Sequence, residues 1–118
     1  MTKEVSAILK RAGVANHLRG YQYVGEAVEL VAEDRERLFR ITRVIYPAIA
    51  KKFNATYSSV ERGIRWAIEH AFNNLSPDVI EELFGNTVSF NKGKLTNSQF
   101  IAVLADLVLE ERENGRNE

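Results

Sequence analysis

The 118-residue sequence contains no cysteine, which excludes disulfide bonds, zinc–thiolate sites and cysteine nucleophiles as the basis of its function. No segment approaches the roughly 20 apolar residues that a membrane-spanning helix needs. The N-terminal stretch MTKEVSAILKRAG also lacks the long apolar run of a signal peptide. We therefore expect a cytoplasmic protein that has no contact with a membrane.

The sequence has no excess of charge of either sign, since Lys plus Arg and Asp plus Glu both number 16. A net charge of zero argues against a generally basic surface but not against a local basic patch, because a phosphate responds to nearby charges. Glycine-rich phosphate loops, Ser-His-Asp sets and paired carboxylates are absent, and His17 and His70 are far apart in sequence. We expect no enzyme activity, metal or cofactor.

Apolar residues repeat at helical spacing along most of the chain, whose length is that of one ordinary domain. The stripes begin at Val5, Val24, Leu38, Val60 and Phe100. A further short helix is predicted from Pro77 to Phe84, because Ser76 suits its N-cap and Gly85 its end. These patterns predict an all-α fold, a compact bundle of about six helices over residues 1–112.

Loops and helix ends are predicted from glycine, proline and polar residues. Gly13 should end the first helix and Gly20 should break the chain before the second. Pro47 should either kink the third apolar stripe or begin a new helix there. A loop is expected from Asn86 to Leu95, and a polar, fraying tail over 113–118.

The segment YPAIAKKFNATYSSVERGI has the spacing of a helix-turn-helix. Ala50 is small where two crossing helices approach, and Asn54 falls in the turn, where it tolerates positive φ. Val60 and Ile64 anchor the second helix in the core. In this motif the second helix, here about 57–73, enters the major groove of double-stranded DNA.

A helical wheel places polar residues and a tryptophan on the face of this helix that points away from its apolar stripe: Ser58, Ser59, Arg62, Arg65 and Trp66. Arginine presents a rigid fork of donors that fits guanine O6 and N7, and a glutamate can accept a hydrogen bond from cytosine N4 or hold an arginine. Glu61, Arg62 and Arg65 are therefore predicted to contact bases. The alternative is a solvated face with ordinary charge pairs.

Phosphate contacts are predicted for hydroxyl and ammonium groups around the same helix and before the last helix: Lys51, Lys52, Ser58, Ser59, Lys92 and Lys94. For Lys92 and Lys94 the alternative is two solvated lysines beside a capped helix. Either Thr56 or Ser58 can cap the second helix of the motif, and Ser58 would form a capping box with Glu61.

Beyond the motif, the segments YPAIAKKFNATYSSVERGIRWAIEHAF, GVANHLRGYQYVGEAVELV and LFGNTVSFNKGKLTNSQFIAVLAD resemble one known family. This is the C-terminal effector domain of the stage-zero sporulation protein A, the master response regulator of bacterial sporulation. The resemblance implies a six-helix bundle that binds a promoter element of sporulation genes, activating some and repressing others. It also implies base reading by Glu61, Arg62 and Arg65.

The resemblance further implies a contact with the sigma subunit of RNA polymerase in the segment SPDVIEELFG, with Val79, Glu82 and Phe84 as candidates. It implies tandem homodimers on DNA, with the last helix between protomers. The family's phosphorylated receiver domain has no counterpart in the sequence, so both a fragment and a natural receiver-less protein stay open. Trp66 stands where a smaller polar ring such as histidine is expected.

A different class of function also stays open. Without a receiver, the chain can act as a protein-interaction module that binds polymerase or a homologous regulator. Trp66 and the helix Pro77–Phe84 would form its contact surface.

Overall fold

The computed structural model describes residues 1–85, 87 and 95–117. These residues form six α-helices, at the positions where apolar residues repeat with helical spacing. Their bounds are α1 Lys3–Arg11, α2 Arg19–Glu33, α3 Tyr46–Lys52, α4 Tyr57–Asn74, α5 Pro77–Phe84 and α6 Asn97–Asn117. A 3-10 helix, Arg35–Arg40, and a π-helical turn, Ile41–Ile45, join α2 to α3. The described residues contain no strand, so the predicted all-α fold is confirmed.

The core forms around α2, which packs against both α4 and α6. Val24, Val28 and Val31 of α2 have no exposed surface. Near the ends of α4 and α5, the rings of Phe72, Phe84 and Phe100 form a cluster with centroids 5.3–6.3 Å apart, in which Phe84 and Phe100 are stacked. No polar or charged residue in the described part of the chain is buried, so the core has no buried charge to neutralise.

Gly20 lies inside α2, and the prediction that it breaks the chain before that helix is wrong. A Cβ at this position would overlap the backbone carbonyl oxygen of Gly63 in α4 and would lie 2.9 Å from the Cβ of Ala67. A Cβ at Gly63 would in turn lie 2.9 Å from the ring of Tyr23. The two glycines therefore allow α2 and α4 to cross in direct backbone contact.

The other predicted helix ends are explained by local conformation. Gly13 follows α1 with a φ of 75°, in the left-handed region that favours glycine. Pro47 lies in the first turn of α3, where a missing N–H costs nothing, so the proline begins a new helix after the π-helical turn. The open choice for Pro47 is thereby resolved.

The last helix is longer than its apolar stripe, since α6 continues to Asn117 through most of the predicted tail. Arg112 joins this extension to the rest of the fold. Its Nε lies 3.2 Å from Glu4 Oε1 of α1, and its Nη2 lies 3.4 Å from Glu29 Oε2 of α2. These contacts hold Arg112, the residue just before the predicted tail, against two other helices.

Candidate nucleic-acid interface

The helix-turn-helix consists of α3, a short turn and α4. Asn54 has a φ of 51°, as predicted for the turn, and is the only described non-glycine residue with positive φ. The backbone N–H of Ala55 donates to the carbonyl of Ala50 at 2.9 Å, which closes the end of α3 before α4 begins. The predicted positive φ of Asn54 is therefore confirmed.

The first turn of α4 is capped by Thr56, whose Oγ1 accepts a hydrogen bond from the backbone N–H of Ser59 at 3.0 Å. Ser58 is therefore not the cap, and the capping box with Glu61 does not form. Ser58 and Ser59 are both exposed on this first turn. Backbone N–H groups at a helix start lack intrahelical partners and attract anions, so this turn suits a phosphate.

The two faces of α4 differ sharply in exposure. Val60, Ile64 and Ala67 have no exposed surface and hold the helix in the core. On the opposite face Arg62 and Arg65 are both exposed. The buried face fixes the direction of the exposed one, so both guanidinium groups point away from the bundle.

Glu61 and Arg65 form an ion pair on this surface, with Oε1 and Nη1 2.6 Å apart. The side chain of Arg65 keeps 48% of its surface exposed and that of Glu61 keeps 34%. An exposed i, i+4 pair contributes only about 0.3–0.5 kcal/mol to stability. The main effect of the Glu61–Arg65 pair is to orient the guanidinium of Arg65. Arg62, in contrast, makes no ion pair with any described residue.

A contact from α6 supports the beginning of α4. The Nδ2 of Asn97 donates to the hydroxyl of Tyr46 at 2.9 Å and to the backbone carbonyl of Glu61 at 3.3 Å. Burial of the phenol is the main cause that raises the pKa of Tyr46. The ring of Tyr57 meets that of Tyr46 edge-on, with centroids 5.4 Å apart. Asn97 thus joins the backbone of Glu61 in α4 to Tyr46 in α3.

Sequence reasoning missed this role of Asn97. No spacing rule could have found it, because Asn97 and Glu61 are 36 positions apart.

The predicted phosphate-contacting lysines have different environments. Lys51 is exposed at the end of α3. The Nζ of Lys52 lies 2.7 Å from Glu26 Oε2 of α2, so a carboxylate already offsets part of its charge. Lys92 and Lys94 lie outside the described residues.

Helix α5 carries the residues predicted to contact polymerase. Glu82 is exposed and pairs with Arg11 at 3.5 Å, and Val79 is half-buried. Phe84 is only 1% exposed, and its ring stacks on Phe100. Phe84 therefore belongs to the core and cannot offer its side chain to a partner in this structure, which corrects the prediction of a direct contact.

His17 and His70, distant in sequence, meet edge-on with ring centroids 6.0 Å apart. Within the part of the chain that the structure describes, no three His, Asp or Glu side chains are grouped so as to hold a metal ion. Over the same ranges, none of the helices has both the length and the hydropathy that crossing a membrane requires.

One family model matches the sequence over residues 5–108, and its description is Sporulation initiation factor Spo0A C terminal. The matched region begins in α1, ends in α6 and contains the whole helix-turn-helix. It therefore covers both the exposed face of α4 and the contact from Asn97.

Proposed function

Because the chain belongs to the family of C-terminal domains of the sporulation initiation factor Spo0A, we propose that α4 reads promoter DNA in the major groove. Membership makes the chain a DNA-binding effector domain of sporulation. The finer proposal concerns the residues: Arg62 and Arg65 contact guanine, and Glu61 orients Arg65 or accepts a hydrogen bond from cytosine N4.

The observation that carries this proposal is the direction of α4. Val60, Ile64 and Ala67 are fully buried, while Arg62 and Arg65 are exposed on the opposite side, one helical turn apart. Two planar guanidinium groups on one face can each bind the O6 and N7 acceptors of a guanine. The backbone carbonyl of Glu61 also accepts a part-buried hydrogen bond from Asn97, which positions the start of this face.

Phosphate contacts position such a helix without reading sequence. We assign this role to Ser58 and Ser59 at the start of α4 and to Lys51 at the end of α3, all of which are exposed. Lys52 joins them if the duplex competes with Glu26 for its ammonium group. Lys92 and Lys94 keep the same assignment from the sequence alone.

The test begins with selection of bound sites from random duplexes, followed by fluorescence-polarisation titrations of the strongest one. Arg62→Ala and Arg65→Ala should each weaken binding by about 5- to 150-fold, which corresponds to about 1–3 kcal/mol. Each should also relax the preference at one base pair. The control is Lys10→Ala, which removes one exposed positive charge from α1.

The contradictory outcome is equal affinity and equal base preference in both arginine variants, with Lys10→Ala behaving as the wild-type protein does. That result would leave the family membership intact but remove the assignment of base contacts. If Lys10→Ala weakens binding as much as the arginine variants, binding depends on general charge and not on α4.

We further propose that the domain acts in the cytoplasm, where it activates some promoters and represses others, and that it binds tandem sites as a homodimer. It would contact the sigma subunit of RNA polymerase through α5. The polymerase contact is supported by the exposure of Glu82 on α5, beside half-buried Val79. In transcription with purified polymerase, Glu82→Ala should lower activation while leaving DNA affinity unchanged. Full activation by this variant would remove Glu82 from the proposed surface.

A further inference from the structure

Trp66 is the only tryptophan of the sequence and lies on the exposed face of α4, with 60% of its surface exposed. The aromatic ring contacts formed among the described residues do not include it. Aromatic side chains normally bury most of their large apolar surface, so an indole on an otherwise polar face lacks a packing explanation.

Its position relative to the arginines is fixed by helix geometry. Trp66 follows Arg62 by four residues, which places it about 40° around the helix and about 6 Å further along its axis. The major groove is about 12 Å wide, so a side chain at this offset stays inside the groove that Arg62 enters. Cα–Cβ bonds tilt toward the start of a helix, and this directs the indole back toward Arg62.

The charges nearby favour a nucleic acid as the occupant. Arg62 lies on the side toward which the indole is directed, Arg65 lies beside it with its charge partly offset by Glu61 at 2.6 Å, and Glu69 lies on the next turn beyond the indole. Two guanidinium groups beside an exposed apolar ring match a polyanion that also presents an apolar group. On the major-groove edge of base pairs that group is the 5-methyl group of thymine.

We propose, on the basis of the function assigned to α4, that Trp66 is a further base-contacting residue whose indole packs on a thymine methyl group in the major groove. Trp66 then adds a preference for a T·A pair next to the guanine read by Arg62. The contact is apolar and therefore adds specificity without changing the number of phosphates neutralised.

The experiment uses the single tryptophan as its own reporter on the full chain. With the strongest selected duplex, acrylamide quenching of the emission should fall several-fold when DNA saturates the protein. Replacing each thymine by deoxyuracil in turn should reveal one position where wild-type affinity falls about 4-fold, the ratio for one buried methyl-sized group. Trp66→Ala should lose sensitivity at that position, and Trp66→Phe should retain most of it.

Each of the other outcomes overturns a specific part of the proposal for Trp66 or of the function assigned to α4. Tight, arginine-dependent binding with an unprotected tryptophan overturns the inference and leaves the proposed function standing. Protection without any effect of deoxyuracil overturns the thymine contact and moves the indole to the sugar–phosphate backbone. Protection that appears with protein concentration alone assigns Trp66 to a second copy of the chain. Absence of sequence-specific binding overturns the proposed function and this inference with it.

Since Trp66 is largely exposed, none of the variants should fail to fold, and thermal unfolding of each variant checks this.

Discussion

Replacing Gly20 with alanine should destabilise the protein, even though alanine is the better helix former. At an open helical position the exchange stabilises by about 0.5–1 kcal/mol. Here the new Cβ overlaps the carbonyl oxygen of Gly63 and lies 2.9 Å from the Cβ of Ala67. Overpacking of a core typically costs about 1–3 kcal/mol, and a backbone carbonyl cannot rotate away as a flexible side chain can.

The expected net loss is about 1–2 kcal/mol in the free energy of unfolding. Urea unfolding followed by circular dichroism should show a midpoint lowered by about 0.5–1 M with an unchanged slope. Gly115→Ala is the matched control, because a Cβ there meets nothing within 4 Å and α6 should gain slightly. A midpoint for Gly20→Ala at or above that of the wild-type protein would refute the close crossing of α2 and α4.

Three further predictions concern the support of α4 and the attachment of α6. Asn97→Ala should weaken specific DNA binding more than it lowers the free energy of unfolding, because the Asn97 amide donates to the carbonyl of Glu61. Polarisation titration measures the DNA affinity of this variant, and urea unfolding measures its stability. Thr56→Ala should cost about 1 kcal/mol in urea unfolding through loss of the N-cap, and an unchanged midpoint would contradict the cap. Hydrogen bonds from its own backbone and from Arg112 hold the pKa of Glu4 below its usual 4.5. The stability gained from this lowered pKa is therefore present above pH 4.5 and lost as the pH falls through the folded-state pKa. Arg112→Met removes only the second of these hydrogen bonds, so it should reduce, but not abolish, the change of the urea midpoint with pH.

The exposed face of α4 could be predicted from sequence because one helix of regular period contains both the buried and the exposed residues. Once Val60 and Ile64 are assigned to the core, the helical repeat fixes the direction of Arg62. Asn54 could be predicted for a similar local reason, since few residues tolerate positive φ in a tight turn. The helix-turn-helix could therefore be predicted from residues that are close together in the sequence.

Features that depend on contacts between distant residues could not be predicted. Gly20 resembles a helix break until its neighbour Gly63 is known, and only the crossing of α2 and α4 brings them together. Phe84 ends a short helix whose few residues do not define a buried face, and its contact with Phe100 belongs to the tertiary fold. The contact between Arg112 and Glu4 spans 108 positions, so local spacing could not reveal it.

Methylation interference at guanine N7 shows whether guanidinium groups of α4 contact guanine in the major groove. We expect methylation of one or two guanines in the selected duplex to block binding by the wild-type protein. Arg62→Ala should become insensitive to methylation at one of these guanines while keeping its sensitivity at the other. Wild-type binding that tolerates N7 methylation at every guanine would contradict the account.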